Sequence, residues 1–149
     1  MTHPEKAEDF IPVIDEGVRL LIPHGIIGFA QLKHYLLKSI PNNDKPSLFW
    51  MLASHECPAI RFILLSYEAI QHKVNIVMDD VFAVTEQYNI QSYGNKLDLF
   101  FVVKIDKSDP DTQRITVNLR APVVIDVGKS QAWQIILTDS KYPIDYLLS

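Results

Sequence analysis

The amino-acid sequence predicts a mainly β fold: a compact antiparallel β-barrel-like single domain with one short helix. Three observations lead there. Short apolar runs recur along the chain and alternate cleanly with polar residues in its C-terminal part, turn-forming residues break it at intervals of roughly 8 to 12 residues, and the main helical pattern is one short stretch beginning at Asp79-Asp80.

The elements follow in chain order. Residues 1–9 are polar and read as a loose tail, leaving 10–149 as the domain. Phe10 to Val13 and Val18 to Ile22 flank Asp15-Glu16-Gly17, the pattern of a hairpin with a turn-forming glycine. Pro23 and Gly25 interrupt the pattern, and Leu32 to Ile40 fits either strand or helix. Pro41-Asn42-Asn43-Asp44-Lys45-Pro46 is a dense set of turn formers and so a surface loop. Leu48 to Ala53, Ile60 to Leu65 and Lys73 to Met78 are short apolar runs that suggest a meander, with Ile60, Phe62 and Leu64 on one face. Asp79-Asp80 offers an N-cap and an acidic first turn for a helix through Tyr88, in which Val81, Val84 and Tyr88 share a face.

Beyond that helix, Leu97, Leu99, Phe101, Val103 and Ile105 face one way, and Lys107-Ser108-Asp109-Pro110-Asp111 turns the chain. Ile115, Val117 and Leu119 alternate with Arg114, Thr116, Asn118 and Arg120, as in a strand buried on one side and wet on the other. Pro122 permits a bend, after which Val123, Ile125 and Val127 resume the pattern and feed the same core as Val117 and Leu119. Gly128-Lys129-Ser130 turns the chain into a returning strand with Trp133, Ile135 and Leu137.

Composition narrows the function. The chain has 149 residues, 48% hydrophobic and 21% charged, which is enough apolar material for a real core. A formal net charge of -4 argues against a surface built to neutralise many phosphates, so direct nucleic-acid binding is not expected. The single Cys57 cannot form an internal disulfide, the N-terminus lacks the apolar core of a secretory signal, and no apolar run approaches the ~18 residues of a membrane helix. These features predict a cytoplasmic protein with no membrane association.

The candidate chemical motifs are weak. Gly128-Lys129-Ser130 resembles the end of a phosphate-binding loop, but that motif needs glycine where Val123 stands and a helix where a strand is predicted. His55-Glu56-Cys57-Pro58 brings together a base, an acid and a thiol, yet a hydrolytic zinc takes three protein ligands, and His3, His24, His34, His55 and His72 are scattered. No metal, no cofactor and no catalytic residue is expected. Phe49, Trp50, Phe62, Phe100, Phe101 and Trp133 could stack bases as an oligonucleotide-binding barrel does, but they are not interleaved with Lys and Arg, and core packing accounts for them better.

Two segments carry a family resemblance. Thr116-Val117-Asn118-Leu119-Arg120-Ala121-Pro122-Val123-Val124-Ile125, followed by Gln134-Ile135-Ile136-Leu137 and Asp139-Ser140-Lys141-Tyr142-Pro143-Ile144, resembles the C-terminal signature of the flagellar assembly factor FliW family. Ile22-Pro23-His24-Gly25-Ile26-Ile27-Gly28-Phe29 is similar to that family's Pro-x-Gly-x-x-Gly-Phe segment. The resemblance implies a non-catalytic β-barrel-like protein that binds flagellin in the cytosol. It also implies antagonism of CsrA, an RNA-binding translational regulator, so that flagellin synthesis follows export.

Seven residues then stand out as candidate partner contacts. Asn118 and Arg120 lie on the polar face of their strand, and Tyr142-Pro143 closes the C-terminal run with a rigid amphipathic surface. The same residues could equally serve structure, with Asn118 and Arg120 bonding to adjacent loops and Tyr142 covering the core. Asp79, Asp80 and Asp139 supply carboxylates that would complement a basic regulator.

Overall fold

Strands account for most of the regular secondary structure in the computed structural model, which describes residues 17–41, 48–90 and 97–148. The strands are β1 (Val18–Leu21), β2 (His34–Ser39), β3 (Phe49–Ser54), β4 (Arg61–Ser66), β5 (Leu97–Asp106), β6 (Arg114–Val117), β7 (Val123–Asp126), β8 (Gln131–Gln134) and β9 (Tyr146–Leu147). Two helices, α1 (Tyr67–Ile70) and α2 (Met78–Gln87), lie between β4 and β5. The expected strand at Phe10 to Val13 and the boundary between residues 9 and 10 lie outside the described residues, as does most of the Pro41 to Pro46 loop.

Neighbouring strands run β4-β3-β2-β1-β8-β7-β5, and β5 pairs back onto β4, closing a seven-stranded barrel. Every junction is antiparallel except one. β1 and β8 run parallel, meeting at Leu21↔Gln131, where the Leu21 N–H donates to the Ser130 carbonyl at 2.9 Å. The barrel is antiparallel as expected apart from this junction, which arithmetic requires: strands that alternate in direction cannot close on themselves when their number is odd. β6 and β9 extend the sheet past the barrel from the far half of β5.

Two cores flank β5. Leu20, Ile22, Tyr35, Leu37, Leu52, Leu64, Phe100, Val123, Ile125 and Ala132 fill the barrel. On its outer face, Leu99, Phe101, Val103, Val117, Leu119 and Val124 pack against Ile70, Val81 and Val84 of the helical layer and against Ile135, Leu137 and Tyr142. A strand buried on both faces has few positions left for polar residues, which is why Leu97 to Val103 reads as an almost unbroken apolar run.

Three expectations change. Val117 and Leu119 enter the outer core while Val123 and Ile125 enter the barrel, so these four residues do not share a face. The switch occurs in the break between β6 and β7, where Asn118 Oδ1 accepts from the N–H groups of Arg120 and Ala121, both at 3.1 Å. That side-chain turn, together with the donorless Pro122, shifts the strand's phase. Lys73 to Met78 is not a strand: Ser66 Oγ accepts from the Glu68 N–H at 3.2 Å and starts α1, giving two helices instead of one. Val74 and Ile76 still alternate into the core, but their segment joins no ladder. Finally, α2 begins one residue before Asp79, with Val77 at the N-cap and no side-chain cap, so Asp79 and Asp80 occupy the first turn. There they face the positive end of the helix dipole.

Candidate functional site

Six of the seven candidate contacts come together where the C-terminal segment crosses the break between β6 and β7. The Arg120 guanidinium donates from Nε to the Tyr142 carbonyl at 2.8 Å and from Nη2 to the Ser140 carbonyl at 3.3 Å. Backbone bonds flank it: the Leu137 N–H donates to the Arg120 carbonyl at 2.7 Å, and the Leu119 N–H to the Pro143 carbonyl at 2.9 Å. The turn between Leu137 and Pro143 is held by Asp139, whose Oδ1 accepts from the Lys141 N–H at 2.9 Å. Asn118 shapes the opposite wall as described above.

Tyr142 links this crossing to the helical layer. Its ring is buried, at 1% exposure, and its hydroxyl donates to Asp80 Oδ2 at 2.6 Å while accepting from the Val77 N–H at 3.1 Å. Burial and the Asp80 carboxylate both raise the phenol above its ordinary pKa, so it stays protonated and donates at neutral pH. Lys141 Nζ bridges Asp80 Oδ2 at 3.5 Å and Asp139 Oδ2 at 3.7 Å, closing the cluster. Tyr146 adds a second tie, donating its hydroxyl to the Lys73 carbonyl at 3.0 Å. Being buried, Tyr142 offers almost no surface of its own and holds its neighbours in place. Asp79, the seventh residue, stands exposed on α2 outside the cluster.

Beside the cluster runs a shallow apolar cleft. α2 contributes Met78, Val81, Phe82 and Thr85, and the floor comes from Leu97, Asp98 and Leu99 of β5 with Val124 of β7. Phe82 is 52% exposed at its lip, an uncommon position for a phenylalanine. Ile27, Ile136 and Ile144 are other large apolar side chains left in solvent.

Two residues that sequence reasoning missed hold the rest of the framework. Gln134 is buried and bonds in two directions, its Nε2 donating to the Ala121 carbonyl at 3.1 Å and its Oε1 accepting from the Ile27 N–H at 2.7 Å. It thereby fastens the Ile22 to Phe29 loop to the strand break. Gly25 in that loop has φ +68°, and a Cβ there would sit 2.6 Å from the Phe29 carbonyl oxygen, so both conformation and space demand glycine. The other missed residue is Glu56, from the His55 to Pro58 segment. Its carboxylate accepts from the Lys33 and His34 N–H groups and from His34 Nδ1 at 2.9 Å. Glu56 therefore pins the β3–β4 turn to the start of β2, and Cys57 beside it is exposed. The described residues contain no group of three His, Cys, Asp or Glu able to hold a metal ion.

The aromatic residues weighed as base-stacking platforms belong to the two cores or pack against them. Trp50 meets Phe100 edge-on at 5.9 Å, and Phe101 meets Tyr67 at 6.3 Å. Among the described residues no helix is long and apolar enough to cross a membrane.

Comparison with known proteins agrees with this architecture. The family described as FliW protein matches residues 7–148. The flagellar assembly factor FliW of Clostridium novyi (strain NT) is 36% identical over 124 residues, covering 83% of this chain and 80% of that one. The Clostridium kluyveri (strain ATCC 8527) protein of the same description is 30% identical over 134 residues, with 90% and 86% covered. A crystal structure of the flagellar assembly factor FliW superposes with a TM-score of 0.67 at 27% identity, covering 93% of this chain and 90% of that chain.

Proposed function

Because the chain belongs to the FliW family of flagellar assembly factors, we propose that it binds flagellin in the cytoplasm and antagonises the regulator CsrA, so that flagellin synthesis follows export. The observation that carries this is the family match over nearly the whole chain, C-terminal signature included. The role is one of binding without catalysis. In support, the polar side chains of that signature bond to one another and to backbone, while large apolar side chains such as Phe82 and Ile144 are left for a partner.

The two partners call for different chemistry. Flagellin segments that stay unfolded before export lose conformational freedom on docking, which favours a few apolar contacts and moderate affinity. An RNA-binding regulator presents a basic surface, which Asp79, Asp80 and Asp139 complement. Titration calorimetry of the full chain against purified flagellin and purified CsrA tests the proposal. Raising salt from about 0.05 to 0.5 M is expected to weaken the CsrA complex well before the flagellin complex, since screening acts on exposed charge. Detecting neither complex at micromolar concentrations overturns the assignment. Equal salt sensitivity removes the division between apolar and charged contacts.

A further inference from the structure

We infer that the outer face of α2, with the cleft beside it, is a docking site for a basic amphipathic segment of a protein partner. This deepens the reading above and rests on it for the identity of that partner. Asp79, Phe82 and Glu86 stand at i, i+3 and i+7 on α2, all three exposed, and so form one stripe with an apolar centre and a carboxylate at either end. No basic residue occurs anywhere in α2. Among the described residues neither Asp79 nor Glu86 has an ion-pair partner, whereas Asp80, on the inward side, is engaged by Lys141 and Tyr142.

The matching surface is an apolar side chain with Lys or Arg about one helical turn to each side of it. The cleft sets the size of that apolar group. The space it offers is about 20 Å³, far below the roughly 300 to 1,000 Å³ of a small-molecule pocket. It therefore accepts the tip of one anchoring side chain against Met78, Phe82, Leu99 and Val124, the usual arrangement at the centre of a protein interface. A second copy of this chain is the wrong occupant, because antiparallel pairing of two α2 helices sets Asp79 against Glu86 and repels.

The test uses the isotope-labelled full chain and reads backbone amide shifts during two titrations. One uses purified CsrA; the other uses a synthetic helical peptide with a central leucine flanked by lysines, with a glutamate-flanked version as control. The expected result is that CsrA and the lysine peptide both shift amides of Met78 to Gln87, Leu97 to Leu99 and Val124, and that the glutamate peptide does not. Phe82→Ser is expected to weaken both interactions about tenfold, and the double change Asp79→Lys with Glu86→Lys to reverse the preference for the lysine peptide over the glutamate one. CsrA binding with shifts confined to another face overturns the docking site and leaves the family reading intact. Lysine-peptide binding at α2 without any CsrA complex upholds the site and removes CsrA as its partner. Binding of neither, or equal binding of both peptides, overturns the inference.

Discussion

At the level of single residues, one hydroxyl ties two distant parts of the chain together. Tyr142 reaches Asp80 and the Val77 N–H at once, so Tyr142→Phe keeps the packing but strands the Val77 donor and removes one donor from Asp80, which keeps Lys141. The expected cost is about 1 to 3 kcal/mol, toward the lower end because Asp80 is partly solvated; an unchanged denaturant midpoint would show that the latch is idle. Glu56 makes a pH-dependent contribution. The hydrogen bond from His34 lowers its carboxyl pKa to about 2 from the ordinary 4.5, with the Lys33 and His34 N–H groups assisting. A pKa depressed by folding stabilises the native state above the unfolded value and loses that effect as pH falls through the folded one. Glu56→Gln should therefore melt lower than the parent at pH 7, and the gap should narrow as pH falls from about 4.5 toward 2. A gap independent of pH would exclude the charge as its source. These roles were only half legible in the sequence. Asn118, Arg120 and Tyr142 stand out as a group, but nothing local shows that Tyr142 meets a residue 62 positions away, or that Gln134 bonds in two directions.

Among the elements, alternation was read well where a ladder enforced it and poorly where it did not. β5 pairs with β4, β6 and β7 along its length, and its outward residues Leu99, Phe101 and Val103 fall on the expected face. Lys73 to Met78 shows the same alternation for a different reason: Val74 and Ile76 are buried while tyrosine hydroxyls take the Lys73 carbonyl and the Val77 N–H. Burial with period two thus does not imply a strand, since side chains can satisfy a backbone that no neighbouring strand reaches. The phase change between Leu119 and Val123 was equally hidden, because Asn118 and Pro122 announce a bend without giving its size. It alters what a core substitution reports. Leu119, 4% exposed, sits in the outer core with Ile135 and Leu137, so Leu119→Ala should cost roughly 2 to 5 kcal/mol and loosen the helical layer before the barrel. An unaltered melting midpoint would contradict that placement.

For the molecule as a whole, β composition and the spacing of turns were enough to indicate a barrel, but the number of strands in the ring, and hence the parallel junction, depends on pairings far apart in sequence. That junction has a mechanical consequence. β3 and β4 are joined from Phe49↔Leu65 through Ala53↔Arg61, whereas β1 and β8 share the single pair Leu21↔Gln131. A ring opens at its thinnest seam, so thermal breathing should unroll the wall between β1 and β8 while the β2–β3–β4 sheet stays intact. In deuterated water the Leu21 amide is expected to exchange well ahead of the Leu52 amide at the centre of that sheet. Matching protection at the two positions would mean that the barrel opens all at once, with no preferred line of parting.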